Sequence, residues 1–210
     1  MLSVRTPADF PLDANPSSNF WRAAKPVNIT TDNKGVQQTG FAMEVRSLWT
    51  PDNLYFLFQC PYEELYLKPN PVTATETNQL WNWDVVEVFI GADFENIRRY
   101  REFEVSPQAE WVDLDIDLSK PHPETGWLWN SGFQAAARID RNHKTWYAAM
   151  RIPIHATDAR PAREGNEFRM NLYLSEGKTP KHRSLVWHPT LQPSFHIPER
   201  FGTLKLAGSQ

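Results

Sequence analysis

The chain has 210 residues and a formal net charge of −3, and 40% of its residues are hydrophobic while 22% are charged. These values predict one folded domain spanning residues 1–210 rather than a disordered chain. The weakly acidic balance, with no basic stripe, argues against a protein that binds nucleic acid or an anionic membrane.

The N-terminal third is predicted to begin with an extended lead and then to form strands. Residues 1–20 are rich in Pro, Asn and Ser, and residues 20–24 can form one short helical turn. Apolar patterns predict the next strands, at 27–31, 41–49 and 54–60. A polar connection with three prolines follows at 61–80, and connections of this length are usually functional or mobile.

The segment 83–90 reads as a strand that is covered on both sides. It is an almost continuous run of β-branched and aromatic residues, interrupted only by Asp84 and Glu87. An unpaired buried charge is too costly to keep, so each carboxylate must find a partner in the fold or in a ligand. Glu87 is therefore a candidate functional residue.

Two further runs, 101–106 and 111–118, alternate strictly between apolar and polar residues, and the short connection 107–110 predicts a hairpin. We expect one face of this hairpin to carry four carboxylates beside the indole of Trp111: Glu102, Glu104, Asp113 and Asp115. The simplest interpretation of Asp113, Asp115 and Asp117 is the solvated side of a half-buried sheet.

The C-terminal half continues with short strands and no long amphipathic helix. A hairpin is predicted over 132–152, a brief helical turn at 153–157, and three more strands at 168–174, 185–187 and 201–206. The total is about ten or eleven strands with one or two short helical turns. This pattern predicts an all-β, antiparallel β-sandwich of jelly-roll or immunoglobulin-like type.

Catalytic and metal-binding signatures are sparse. The sequence contains no nucleophile elbow or Gly-rich phosphate loop, and its six histidines lack the spacing of zinc ligands. Cys60, the single cysteine, excludes an intramolecular disulfide and is predicted to be buried and structural. Oxygen ligands around 113–117 leave a structural calcium ion open, although no contiguous calcium loop is present.

The aromatic content is unusual, because several of the nine tryptophans fall in polar, Pro-rich stretches. Trp81 and Trp127 are examples. Flat rings presented from loops suit a sugar-binding surface, but they also serve protein interfaces or a hydrophobic core.

The sequence also bears on the cellular compartment. The N-terminus lacks the apolar region of a secretion signal, and no apolar run has the length of a bilayer. On sequence alone we expect a cytoplasmic protein, or an extracytoplasmic one if an export signal has been removed.

Two motifs carry a family resemblance. The pattern W-x-x-D-x-x-E at Trp81, Asp84 and Glu87, and the closing PxxFG that starts at Pro198, resemble family 9 carbohydrate-binding modules and their single-domain relatives. The order of elements agrees over most of the chain. The resemblance implies a β-sandwich that holds a sugar, often the end of a chain, in a slot between two aromatic rings.

The family's binding positions match individual residues of this sequence. Trp81 and Phe195 match the two rings, Glu87 matches a buried carboxylate that accepts hydrogen bonds from sugar hydroxyls, and Asn171 matches a polar side chain on a later strand. The best-known members carry Arg and Asn where this chain has Glu104 and Ser106, so their preferred sugar does not carry over. Calcium is common in the family.

The resulting prediction is non-catalytic binding of a mono- or oligosaccharide or of a polysaccharide chain end. Trp81 and Phe195 would stack on the sugar, while Glu87, Glu104 and Asn171 make polar contacts. Three alternatives stay open. The first is a structural or interaction domain that has lost sugar binding, and the second is a hydrolase that uses a pair such as Glu87 and Glu104. The third is a haem-binding sandwich with a His and one of Met43, Met150 or Met170 as axial ligands.

Overall fold

The computed structural model describes residues 1–123, 126–178 and 181–209. Within these ranges the chain forms twelve strands: β1 Leu2–Arg5, β2 Val27–Ile29, β3 Met43–Trp49, β4 Asn53–Pro61, β5 Val85–Gly91, β6 Arg99–Val105, β7 Trp111–Asp117, β8 Gln134–Asp140, β9 Thr145–Pro153, β10 Glu167–Glu176, β11 Arg183–Val186 and β12 Gly202–Ala207. The helical elements are one turn of α-helix, α1 Ile154–Thr157, and three 3-10 turns, Asn19–Ala23, Leu80–Asn82 and Pro198–Arg200. No helix in the described part of the chain is long and apolar enough to cross a membrane.

All twelve strands belong to one sheet that folds over on itself. The strand order is β7-β6-β5-β10-β12-β1-β3-β4-β9-β8, while β11 pairs with β10 and β2 pairs with β3. β1 is parallel to both of its neighbours, β12 and β3, and it joins the two halves of the sheet. The other pairings are antiparallel.

The main hydrophobic core lies between the two halves. It contains Val88 of β5 and Leu172 of β10 from one half, and Phe56 of β4 and Met150 of β9 from the other. Side chains alternate between the faces of a strand, so even-numbered residues of β5 point into this core and odd-numbered residues point away. A smaller cluster on the opposite face of β5 includes Phe89, Tyr100 and Tyr173. All seven residues of β5 are therefore buried, as the continuous apolar run predicts.

The all-β class is confirmed, and two details of the prediction are wrong. The strands number twelve rather than ten or eleven, and the short helical turns number four rather than one or two, within the described residues. The additional strand is β1, which lies in the segment predicted to be an extended lead. It is only four residues long, and its pairing partners are Leu2 with Lys205 and Val4 with Leu48, both distant in sequence.

The prediction of which residues of the β6–β7 hairpin share one face of the sheet is also wrong. The turn closes with a hydrogen bond from the Ser106 N–H to the Glu110 carbonyl, and Ala109 takes a left-handed conformation with φ of 64°. This turn pairs Glu104 with Val112 and Glu102 with Leu114. A shift of one residue moves every side chain to the other face.

Asp113 and Asp115 consequently lie on the face opposite the two glutamates. Asp113 is fully buried and accepts a hydrogen bond from the Ser131 N–H at 2.8 Å, so its assignment to a solvated side is wrong. Asp115 is half-buried and forms an ion pair with Arg101. Trp111 packs edge-on against Phe133 rather than beside the glutamates.

Candidate functional site

A cleft of about 1010 Å³ opens on the outer face of β5, β6, β7 and β10. Its lining combines aromatic rings, histidines and buried carboxylates, and it includes Trp81, Glu87, Phe89, Glu102, Leu114, Trp127, Ser175, Phe195 and His196. Trp81 is 41% exposed, whereas Glu87 and Glu102 are each 3% exposed. The aromatic ring therefore lies near the mouth of the cleft and the carboxylates lie at its floor.

Glu87 reaches the floor because of its position on the central strand β5. Residues 85, 87 and 89 alternate away from the core, and Glu87 pairs across the sheet with Glu104 of β6 on one side and Tyr173 of β10 on the other. Glu102 lies two residues from Glu104 along β6 and on the same face. The β-register therefore brings three glutamates from two adjacent strands to one place.

The three glutamates form a compact acidic cluster. One carboxylate oxygen from each of Glu87, Glu102 and Glu104 lies within 4.8 Å of the other two. The Ser175 hydroxyl donates a hydrogen bond to the Glu87 carboxylate at 3.2 Å. Among the described residues, no lysine or arginine forms an ion pair with any member of this cluster.

Burial governs the protonation of this cluster. It raises the pKa of Glu87 and of Glu104 well above the ordinary value, and the negative charge of Glu102 raises both further. Burial also raises the pKa of Glu102 to about 7, although a hydrogen bond from Glu104 lowers it. These directions place a proton on Glu104, whose carboxyl then donates to Glu102. The floor of the cleft thus offers both hydrogen-bond donors and acceptors.

Trp81 projects into the cleft from a 3-10 turn. Gln79 adopts a left-handed conformation with φ of 61° and reverses the chain into the turn Leu80–Asn82. Leu80 is fully buried and anchors this turn, so the next residue is directed outward. Trp127 lines the same cleft, where the ring of His122 packs against it edge-on at a centroid distance of 4.3 Å.

Phe195 is held in place by Tyr173. The two rings are stacked with centroids 4.4 Å apart and an interplanar angle of 14°. The Tyr173 hydroxyl donates a hydrogen bond to the Phe195 carbonyl at 2.9 Å. The neighbouring His196 lies 2.6 Å from the Tyr100 hydroxyl through its Nδ1 atom, and burial lowers its pKa to about 4, so it is neutral near pH 7.

The loops beside the cleft are tied together by buried amides. The Asn33 side chain accepts hydrogen bonds from the backbone N–H and the hydroxyl of Thr190, and it donates to the Gln192 carbonyl at 2.7 Å. Loop residues near Asn33 and Gln192 therefore keep a fixed spacing. Loops that are already held in place lose less conformational entropy when a ligand binds.

Asn171 lies outside the lining of the cleft. It is fully buried, and its amide donates to the His188 carbonyl at 2.8 Å and to the Tyr173 hydroxyl at 2.8 Å. Its side-chain oxygen accepts from the His188 N–H at 2.9 Å. These bonds hold the segment that leads to Phe195, so direct contact of Asn171 with a sugar stays a prediction.

The structure brings together most of the residues singled out in the sequence. Trp81, Phe195 and Glu87 line one cleft, and Glu104 lies just below its floor in contact with Glu102. Glu102 and His196 line the cleft but were not among the predicted binding residues. The strict alternation of 101–106 places Glu102 on the face of Glu104, and this signal was sufficient to include it.

Comparison with protein families gives a match along nearly the whole chain. The description "Carbohydrate family 9 binding domain-like" matches residues 12–209. The chain belongs to this family. Members of the carbohydrate family 9 binding domain-like family are typically non-catalytic. No curated protein sequence matches the chain.

Solved structures of similar fold include other proteins of this family. A putative carbohydrate-binding protein from Bacteroides uniformis ATCC 8492 is 16% identical, with a TM-score of 0.77 over 98% of both chains. A family 9 carbohydrate-binding module from Caldicellulosiruptor kristjanssonii, in complex with cellotriose, is 13% identical, with a TM-score of 0.69 over 100% of this chain and 95% of the other. Its complex with glucose gives 14% identity and a TM-score of 0.70, over 100% and 97%. At these identities the similarity establishes the fold.

Proposed function

We propose that this protein binds a carbohydrate without cleaving it, and that the cleft over β5 and β6 holds the sugar. The observation that carries the proposal is the combination, in one cleft, of the exposed Trp81 ring and the half-buried rings of Trp127 and Phe195 with buried carboxyl groups. Family membership supports a sugar as the ligand, since related structures contain cellotriose and glucose.

The two parts of the cleft suit the two parts of a sugar. A pyranose ring has apolar C–H faces, which pack on aromatic side chains such as Trp81 and Phe195. Its hydroxyl groups each donate and accept hydrogen bonds. Glu87 and Glu102 lie on the floor, and burial raises the pKa of both; a protonated carboxyl group donates and an ionised one accepts, so this floor can do both. A few polar groups in a mostly apolar pocket are typical of small-ligand sites.

The geometry favours binding over hydrolysis. A glycosidase needs two carboxyl groups on opposite sides of the scissile bond. Here Glu87 and Glu104 are cross-strand neighbours on the same face of the sheet, and Glu104 is fully buried below the floor of the cleft. The methionines of the haem alternative, Met43, Met150 and Met170, belong to the hydrophobic core rather than to the cleft.

Isothermal titration calorimetry tests the proposal. Glucose, cellobiose, cellotriose and a panel of other mono- and oligosaccharides are titrated into the wild-type protein and into Trp81→Ala and Phe195→Ala. We expect at least one sugar to bind and each substitution to weaken it about tenfold or more, equivalent to about 1.4 kcal/mol. The ligand should be recovered intact when the reaction mixture is analysed by chromatography.

Phe94→Ala provides the matched control. Phe94 is 48% exposed, much like Trp81, but it does not line the cleft. Its substitution should leave the affinity unchanged. Equal loss in the Phe94 and Trp81 variants would contradict the assignment of the cleft. If no sugar of the panel binds, the result would favour an interaction domain that has lost sugar binding. Recovery of cleaved sugar would favour the hydrolase.

A further inference from the structure

Several carboxyl oxygens of the acidic cluster are buried without a hydrogen-bond donor from the described protein groups. Glu104 is fully buried, and neither of its carboxylate oxygens has a hydrogen-bond donor among the described residues other than an acid partner. Oε2 of Glu102 is likewise buried without a donor. Buried polar atoms are almost always satisfied, so each such exception requires an explanation.

A shared proton explains only part of this arrangement. It joins one oxygen of Glu104 to one oxygen of Glu102, and it leaves the second buried oxygen of Glu104 without a donor. The Ser175 hydroxyl satisfies one oxygen of Glu87. Positive charge supplied from outside the protein would satisfy the remaining oxygens at once.

We propose that Glu87, Glu102 and Glu104 form a binding site for a divalent cation of calcium size. Calcium binds oxygen at about 2.3–2.6 Å, so two ligands on opposite sides of one ion lie about 4.8 Å apart. The three carboxylate oxygens lie within 4.8 Å of one another, which is close enough for a single ion to contact all three.

The chemistry of the three ligand atoms favours some cations over others. It consists of carboxylate oxygens without His or Cys, which suits calcium, magnesium or manganese rather than zinc or copper. Calcium tolerates irregular geometry and six to eight ligands, whereas magnesium requires a near-ideal octahedron. Three ligands held on two paired strands leave the other positions to water or to a ligand in the cleft, which Glu87 and Glu102 line.

An ion fits this position better than the amine of an amino sugar does. Glu104 does not line the cleft and is fully buried, so a group attached to a sugar ring can approach only Glu87 and Glu102. A bare ion can lie between all three carboxylates. The inference needs no sugar and is tested with the metal alone.

Thermal unfolding after removal of metals with a chelator is the first test. Calcium chloride at about a hundred times the dissociation constant should raise Tm by about 5–10 °C for a domain of this size. A dissociation constant of about 0.1–1 mM or tighter is the range of extracellular calcium modules. Glu104→Gln should reduce calcium affinity about tenfold or more in a calorimetric titration, and Glu87→Gln serves if that variant does not fold.

Glu76→Gln is the matched control, because Glu76 also lies against a second carboxyl group, Asp113, but at a different place in the fold. This variant should keep the full effect of calcium. Terbium, which accepts calcium-like oxygen ligands, gives an independent readout through luminescence sensitised by the tryptophans of the cleft. Calcium should displace it in the wild type, and Glu104→Gln should abolish the signal.

Three outcomes would overturn the proposal. The first is an unchanged Tm up to about 10 mM calcium, magnesium or manganese together with no terbium signal. The second is a calcium effect that persists in Glu104→Gln and Glu87→Gln, or that Glu76→Gln removes, because the ion would then lie elsewhere. The third is binding of glucosamine but not glucose without any metal effect, which would assign the cluster to an ammonium group. Failure of sugar binding alone leaves these results unaffected.

Discussion

Replacing Asn171 with alanine should destabilise the fold and weaken sugar binding together. The change leaves two backbone groups of His188, its N–H and its carbonyl, without the partners they have at 2.9 and 2.8 Å. An unsatisfied buried group costs about 1–3 kcal/mol. His188 is half-buried, so water compensates in part, and we expect a loss of about 3 kcal/mol in the free energy of unfolding. For a domain of this size, that loss lowers Tm by about 6–12 °C.

Urea unfolding and calorimetry measure this effect, and Asn166→Ala is the control. The Asn166 amide donates to the Pro161 carbonyl at 3.1 Å near the surface, so its loss should cost less than about 0.5 kcal/mol. The Tyr173 hydroxyl would lose a donor in Asn171→Ala, and Tyr173 holds Phe195. Sugar affinity should therefore fall with stability. Reduced affinity at unchanged stability would refute this reasoning, because it would make Asn171 a direct sugar ligand.

Two further predictions concern buried ionisable groups. Burial raises the pKa of Asp84 to about 6, although the backbone N–H groups of Gly177 and Tyr66 donate to it. Because this value exceeds the ordinary 3.8, the folded state binds the proton more tightly, and that stabilisation is present below about pH 4 and is lost as the pH rises to about 6. The stability of the wild type relative to Asp84→Asn should thus fall by about 3 kcal/mol between pH 3 and pH 7 in urea unfolding, and parallel pH curves would contradict the assignment. Burial also raises the pKa of the Cys60 thiol, and the charge of Glu176 raises it further. Native protein should resist a thiol reagent that labels the urea-unfolded chain within minutes, and equally rapid labelling of both would place Cys60 at the surface.

The strands were predictable wherever one local pattern determined them. The apolar run around Glu87 predicts a strand buried on both faces, and β5 is buried throughout. β1 has only four residues and no alternation long enough to read, and its stability comes from β3 and β12, which are distant in sequence. Which residues of the β6–β7 hairpin share a face depends on the left-handed conformation of Ala109 in the turn, which is unusual for a residue other than glycine.

The candidate site was predictable in part for the same reason. Trp81, Glu87 and Phe195 match motif positions, and all three line the cleft. The cluster of three glutamates required the pairing of β5 with β6, which sets Glu104 beside Glu87. Burial of the cluster, and hence its protonation, depends on loops that cover the sheet from distant parts of the chain. Sequence patterns do not contain that information.

The position of β1 has a consequence for the order in which the protein folds. During synthesis β1 emerges before the other strands of this sheet, yet Leu2 pairs with Lys205 of β12. Contacts so distant in sequence require closure of a very long loop and form slowly. The antiparallel hairpins of each half can assemble earlier, so the seam between β1 and β12 closes near the end. Until then β1 and β12 present unpaired edges, which can join strands of another chain. Completing the sheet is therefore also the step that protects the new protein from aggregation.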